Sequence, residues 1–267
     1  MKRIWVHLLS LSAAALGIAS VTPACVVNDQ SIYVRGVLFP STNRQNGACV
    51  YTDDPQQPQL FNGTMDMGVV DAYSVPVLVG NQMIPRADTQ NARAESMRVH
   101  IQGAVVNVHE PGGASIHEFT TYASGFADPG ANNTPDFGLA ELTLIDPETR
   151  RRLLAQTPDF ELRPNVPNPV PSKTLVATFR VFGRTTGGKE VETGDFDFTI
   201  RVCNGCLVTF VDSNDDTQRP EDQPNCLKPL AQGGAAGGGT LPCRPGQDEG
   251  TPCQLCVGRE ACNPKLR

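Results

Sequence analysis

The last 56 residues of the chain, Asp212 to Arg267, hold five cysteines, seven prolines and eight glycines, and their large apolar side chains are limited to Leu227, Leu230, Leu241, Leu255, Val257 and Leu266. A segment of this make-up cannot remove enough apolar surface from water to offset the entropy lost on ordering it. Either covalent cross-links give it a shape or it stays disordered. Gly233 to Gly239 reads as a flexible linker inside it.

Cross-linking requires an oxidising compartment, and the amino terminus predicts export to one. Lys2 and Arg3 precede an apolar, acid-free stretch from Ile4 to Val21, followed by the small-residue run Thr22-Pro23-Ala24 and then Cys25. These are the n-, h- and c-regions of a secretory signal, so residues 1–24 are read as a signal peptide. A transmembrane anchor is the competing reading, but the run is short for a span, carries His7 and several serines, and lacks a basic stop-transfer flank. Cys25 stands where a bacterial lipobox places the acylated cysteine, with Ala24 as the small residue before it and residues 25–30 as the tether. Thr22 and Pro23 differ from the usual lipobox pair, so ordinary cleavage at the same bond, with secretion, is the alternative.

The formal net charge is −6, and removal of Lys2 and Arg3 makes it −8, a balance that repels phosphate backbones and argues against a nucleic-acid partner. The 267 residues less the first 24 leave 243, enough for one large domain with an appendage, and 25 Gly and 22 Pro demand frequent turns. From Ser31 to Val211 short apolar runs alternate with Gly, Pro, Asn and Asp, the pattern of strands and turns. Phe196, Phe198, Ile200 and Val202 share one face of a strand from Asp195, and Leu175, Ala177, Phe179 and Val181 share one face of another from Thr174 to Arg184. Thr185 to Gly188 is the turn signal that makes the two a hairpin. Further strands are predicted over Ile32 to Phe39, Gly63 to Met67, Tyr73 to Val79, Met97 to His109, Ile116 to Ser124 and Leu139 to Ile145. Asp146-Pro147-Glu148-Thr149 leading into Arg150 to Gln156 reads either as a helix start or as a type I turn. The expectation is an all-β chain, an immunoglobulin-like β-sandwich over 31–211 followed by an irregular disulfide-stapled tail over 212–267, with a barrel as the other architecture.

Of nine cysteines, Cys25 leaves eight others: Cys49, Cys203, Cys206, Cys226, Cys243, Cys253, Cys256 and Cys262. Seven of these lie from Cys203 onward, so if all pair, one must reach back to Cys49 and tie the early β region to the last strand or the tail. Two CxxC pairs, Cys203-Asn204-Gly205-Cys206 and Cys253-Gln254-Leu255-Cys256, also have the spacing of a four-thiolate zinc site. Export makes structural disulfides the expected state. Thioredoxin-like chemistry needs a CxxC that opens a helix, whereas Cys206 leads into the apolar run Leu207 to Val211.

Other candidate sites are sparse. Asp212, Asn214 and Asp216 alternate oxygen donors as a calcium loop does, but Thr217 stands in place of the turn glycine and Gln223 in place of the bidentate acid, so a solvated acidic turn is expected. His109-Glu110 and His117-Glu118 flank Pro111 to Ser115. A hairpin centred on Gly113 would set His109 opposite His117, with Glu110 or Glu118 as a third metal ligand. Arg150-Arg151-Arg152 is read as a wet turn. There is no Gly-x-Ser-x-Gly, phosphate loop or HExxH, and Trp5, the one Trp, leaves with the signal. No cofactor is implied.

Taken with the Cys25 lipobox, a β region closing on Cys203-Asn204-Gly205-Cys206-Leu207 and a Cys/Gly/Pro-rich tail, the chain resembles the uncharacterised exported lipoproteins of myxobacteria and related bacteria. The resemblance is one of organisation and carries no catalytic residue with it. What it implies is a non-catalytic, membrane-anchored protein of the cell envelope, in the outer membrane or periplasm, with a structural or partner-binding role. Its expected partners are the membrane, through the lipid anchor, and another envelope protein or a polysaccharide. The alternative is a secreted metal-dependent hydrolase that uses the His109/His117 region.

Overall fold

Alternating apolar and polar residues give strands with one dry face, and the chain sets two layers of them against each other. The computed structural model describes residues 31–39, 49–87, 94–131, 134–157, 160, 170–210, 226–227 and 241–263. In chain order the elements are β1 (Ile32–Leu38), β2 (Gln59–Leu60), β3 (Asn62–Asp66), β4 (Tyr73–Asn81), β5 (Val99–His109), β6 (Ser115–Ala127), β7 (Asp136–Ile145), the helix α1 (Pro147–Gln156), β8 (Ser172–Thr185), β9 (Glu190–Glu192), β10 (Phe196–Cys203), β11 (Val208–Thr209) and β12 (Thr251–Pro252).

One sheet has the order β2-β1-β4-β7 and the other β3-β10-β8-β5-β6, with β9 added to the end of β8. Lettering β1, β4, β5, β6, β7, β8 and β10 as A, B, C, C′, E, F and G makes the sheets A-B-E and G-F-C-C′. This is the strand order of an immunoglobulin-like sandwich. No disulfide bridges the two sheets at mid-height, as one does in antibody domains. The interior is instead closed by fully buried aliphatic and aromatic residues, among them Val77, Val79, Ile101, Val106, Leu142, Leu175, Phe179 and Ile200.

Within β5 the buried positions run Val99, Ile101, then Ala104, Val106, Val108, an odd-to-even switch that a period of two forbids in an unbroken strand. A register irregularity between Ile101 and Gly103 against both neighbours makes the switch. The hairpin expected from the two alternating runs is present. Phe196 pairs with Phe179, and the ladder continues to Cys203 opposite Ser172, with β9 inserted at the turn end. In β4, whose residues are nearly all buried, Pro76 is tolerated because the β1 ladder ends at Val37↔Val77, one residue before a nitrogen that has no hydrogen to donate.

The segment from Asp146 is a helix. The Asp146 side chain accepts the Thr149 N–H at 2.8 Å, Pro147 occupies the first turn, and Thr149 and Leu153, one turn apart, are buried. The arginine triplet therefore lies on a helix, which corrects its reading as a wet turn. Arg150 donates from Nε and Nη2 to the Met67 carbonyl at 2.9 and 2.6 Å, and Arg152 donates from Nη1 to the Ile116 carbonyl at 3.1 Å.

Candidate functional site

All eight cysteines after Cys25 are paired, as Cys49–Cys243, Cys203–Cys206, Cys226–Cys253 and Cys256–Cys262. With all eight paired, the partner of Cys49 among the seven cysteines from Cys203 onward is Cys243, in the tail, 194 positions away. The second CxxC is split between two bridges. Both observations put structural disulfides where a zinc site was the competing reading. Among the described residues the one cluster of three metal-ligating side chains is Asp66, Cys203 and Cys206, and its two sulfurs are bonded to each other. Multiple disulfides are consistent with an exported, non-cytoplasmic protein.

The cystines cap one end of the sandwich. Cys226, Cys253, Cys256 and Cys262 form, with Val69, Val208 and Ala261, a small apolar cluster of their own. Two carboxylates, Asp66 buried and Asp248 partly buried, fasten this cap. Asp66 accepts the N–H groups of Gly68, Gly205 and Leu207 at 3.0, 2.6 and 2.9 Å, which shapes the loop closed by Cys203–Cys206. Asp248 is exchanged across the free edge of β3: its N–H goes to the Thr64 carbonyl at 2.9 Å, and its carboxylate accepts the Thr64 N–H at 2.7 Å. The Tyr73 hydroxyl, from the floor of the core, donates to the same carboxylate at 3.0 Å. Burial pushes the Asp248 carboxyl above its ordinary range against the pull of these donors. Burial, together with the adjoining Asp248 charge, likewise raises the Tyr73 hydroxyl. Asp71 ties the cap to the helix, meeting Arg259 at 3.0 Å and Arg150 at 3.5 Å. The Arg259 hydrogen bond holds its carboxyl low.

The histidines do not converge. The register sets His117 opposite Val108 and His109 opposite Ser115, with an irregularity between Val108 and His109, so the expected facing pair is displaced by one residue. A one-residue slip moves a side chain to the other face of the sheet. His109 lies on the outer face, with Nε2 at 3.1 Å from Thr178 Oγ1 and Nδ1 at 2.8 Å from the Glu110 carbonyl. His117 instead meets the start of α1, 3.0 Å from Thr149 Oγ1 and 3.3 Å from Asp146 Oδ1. The turn is centred between Pro111 and Gly112, one and a half residues before Gly113: Gly113 N–H reaches the Glu110 carbonyl at 2.9 Å, and Gly112 takes the positive φ of 68° that Pro111-Gly112 favours. Glu110 pairs with Lys173 at 2.7 Å, and Glu118 is exposed. Cys25, Asp212, Asn214 and Asp216 lie outside the described residues.

Sequence reasoning missed the outer face of the larger sheet. Gly103 is paired with Tyr122 on β6 and with Phe182 on β8, which puts the two aromatic residues at one level on either side of a position without a side chain. A Cβ at Gly103 would stand 2.2 Å from the Thr121 carbonyl oxygen and 3.0 Å from Phe182 Cζ, so only glycine fits. Tyr122 is 82% exposed. On the Phe182 side, Gln102, Glu190 and Glu192 line an open concavity with Phe182, Arg180 is held by Asp195 at 3.1 Å, and Tyr122 stands across β5 from it. Exposed aromatic, amide and carboxylate groups thus share this face of the sheet. The signal available in the sequence was Tyr122 on the polar side of an alternating run, a break in the pattern.

No protein-family model, curated protein or solved structure matches the chain.

Proposed function

We propose that the chain is a non-catalytic envelope lipoprotein, anchored in a membrane through an acylated Cys25, whose sandwich presents the outer face around Tyr122 and Phe182 to a protein or polysaccharide partner. The observation that carries this reading is the completeness of pairing. Four disulfides consume eight of nine cysteines, and the one left is the residue that directly follows the export signal. A hydrophobic modification at that thiol gives it a use that does not compete with the fold. The rigid, cross-linked frame suits a protein whose task is to hold a surface in place.

Intact-mass and thiol analysis of the protein isolated from its native envelope tests the anchor. The expected result is an amino-terminal Cys25 carrying two or three acyl chains, with no other free thiol. An unmodified amino terminus, or a chain that begins at Met1, contradicts it. The recognition face is tested by Tyr122→Ala, which should leave the unfolding midpoint unchanged while abolishing cross-links from a photoreactive residue placed at Gln102.

A further inference from the structure

The short tether determines which end of the sandwich meets the membrane. Six peptide units separate Cys25 from Ser31, a reach of at most about 20 Å at full extension. Ser31 is already part of the folded domain, its carbonyl accepting the Gln82 N–H at 3.0 Å. At this end Ile32 is paired with Asn81, and the buried Asn81 amide donates to the Met97 carbonyl at 2.9 Å and the Ala127 carbonyl at 3.1 Å. The exit of β4, the entry of β5 and the exit of β6 therefore form one surface around the start of β1. The β8–β9 turn joins them, since the Thr186 N–H reaches the Arg98 carbonyl at 2.8 Å and the Gly187 N–H the Ser96 carbonyl at 2.9 Å.

This surface carries exposed apolar groups. Ile84 is 77% exposed, and Phe126 is 49% exposed with the Arg98 guanidinium 4.7 Å above its ring. Arg86 and Lys189 are exposed in the neighbouring loops. Of the carboxylates here, Glu95 accepts the Arg86, Ala87 and Met97 N–H groups and Asp128 pairs with Arg98 at 3.0 Å, while Asp136, opposite Asn81, and Glu190, next to Lys189, are exposed. An apolar tip flanked by long cations is the composition of a surface that rests in lipid headgroups, where the tip meets the acyl boundary and the cations meet phosphate.

We infer that this strand-end surface, with Ile84 at its tip and Phe126, Arg86 and Lys189 around it, docks on the headgroup region of the bilayer that holds the Cys25 acyl chains. The inference rests on the anchored reading above. A contact too weak to recruit a free protein suffices once the tether raises its effective concentration. The 11 residues of β5 span about 36 Å, so the Pro111-Gly112 turn, α1 and the cystine cap stand at the far end, away from the lipid.

Trp5 is the one tryptophan and lies within residues 1–24, so the mature chain offers a dark background for a single introduced reporter. Mature protein with a free Cys25 is coupled through that thiol to a maleimide phospholipid in vesicles of phosphatidylcholine and phosphatidylglycerol that contain a brominated phospholipid. Reporters are Ile84→Trp and Lys189→Trp at the docking end and Ala114→Trp at the far end. The expected result is loss of emission at positions 84 and 189 and none at 114. Quenching at all three, at none, or at 114 alone overturns the orientation. Because the coupling is chemical, this result is independent of whether the native protein is acylated. A native Cys25 without acyl chains would overturn the anchor itself.

Discussion

Asp248 takes a left-handed backbone, with φ of 59°, and it is the one non-glycine residue among those described that does so. Asp tolerates this region better than most side chains. Its carboxylate here receives a backbone N–H and a buried phenol from elements far away in sequence. Asp248→Ala leaves both donors without a partner and should destabilise by about 1–3 kcal/mol in denaturant unfolding, while Asp248→Asn should cost less. The pH response follows from the direction of the shifts. Burial raises Asp248 above the ordinary 3.8, so its contribution is complete below that pH and is lost as pH rises through the raised value. Asp146 shifts the other way: burial raises it, but the two Thr149 bonds and His117 outweigh burial, so its contribution is present above 3.8 and is lost as pH falls through the lowered value. Intrinsic-rate-corrected hydrogen exchange should show the Thr64 amide gaining protection on acidification from neutral pH, and the Thr149 amide losing it only below that ordinary value. Parallel changes at the two amides would contradict the assignment. None of this was legible in the sequence. Thr64 and Asp248 are separated by 184 positions, and a lone Asp before Glu249-Gly250 carries no local signal.

At the scale of elements, strands were legible where one face is dry and the other wet. The β8 and β10 ladders follow the alternation, because a slip of one residue would put Phe179 and Phe198 in water. The helix α1 was ambiguous because Asp-Pro begins a type I turn and a helix alike, and what decides between them is tertiary: Leu153 and Thr149 bury against the sandwich end, and Arg150 grips the Met67 carbonyl. Asp146→Ala removes the cap and should cost about 1 kcal/mol, read as a lower unfolding midpoint with loss of helical signal before sheet signal. The histidine pairing failed because turn position sets register, and one irregularity beside His109 sends the two imidazoles to different faces. The edge of β6 also acquires a use here. Arg152 from α1 takes the Ile116 carbonyl, covering a strand end that would otherwise offer itself to another chain.

The whole molecule is a sandwich with an apolar interior and a cap whose interior is largely sulfur. That division was legible, because composition says that residues 212–267 hold too few apolar side chains for a core, and full pairing of the eight cysteines after Cys25 sends one of those from Cys203 onward back to Cys49. The choice of Cys243 was not, since connectivity depends on which strand edge the tail follows, and that is set by Gly246, Gln247 and Asp248 along β3. The Cys49–Cys243 bridge closes the longest loop, so the paired replacement Cys49→Ser with Cys243→Ser should lower stability by about 2–5 kcal/mol and expose Tyr73 to solvent. The central claim, that cystines hold a coreless tail on an immunoglobulin-like sandwich, is tested most directly by peptide mapping of the native protein digested without reduction. The account predicts cross-linked peptides joining Cys49 to Cys243, Cys203 to Cys206, Cys226 to Cys253 and Cys256 to Cys262. A free thiol at any of these eight positions, or Cys49 joined elsewhere, would contradict it.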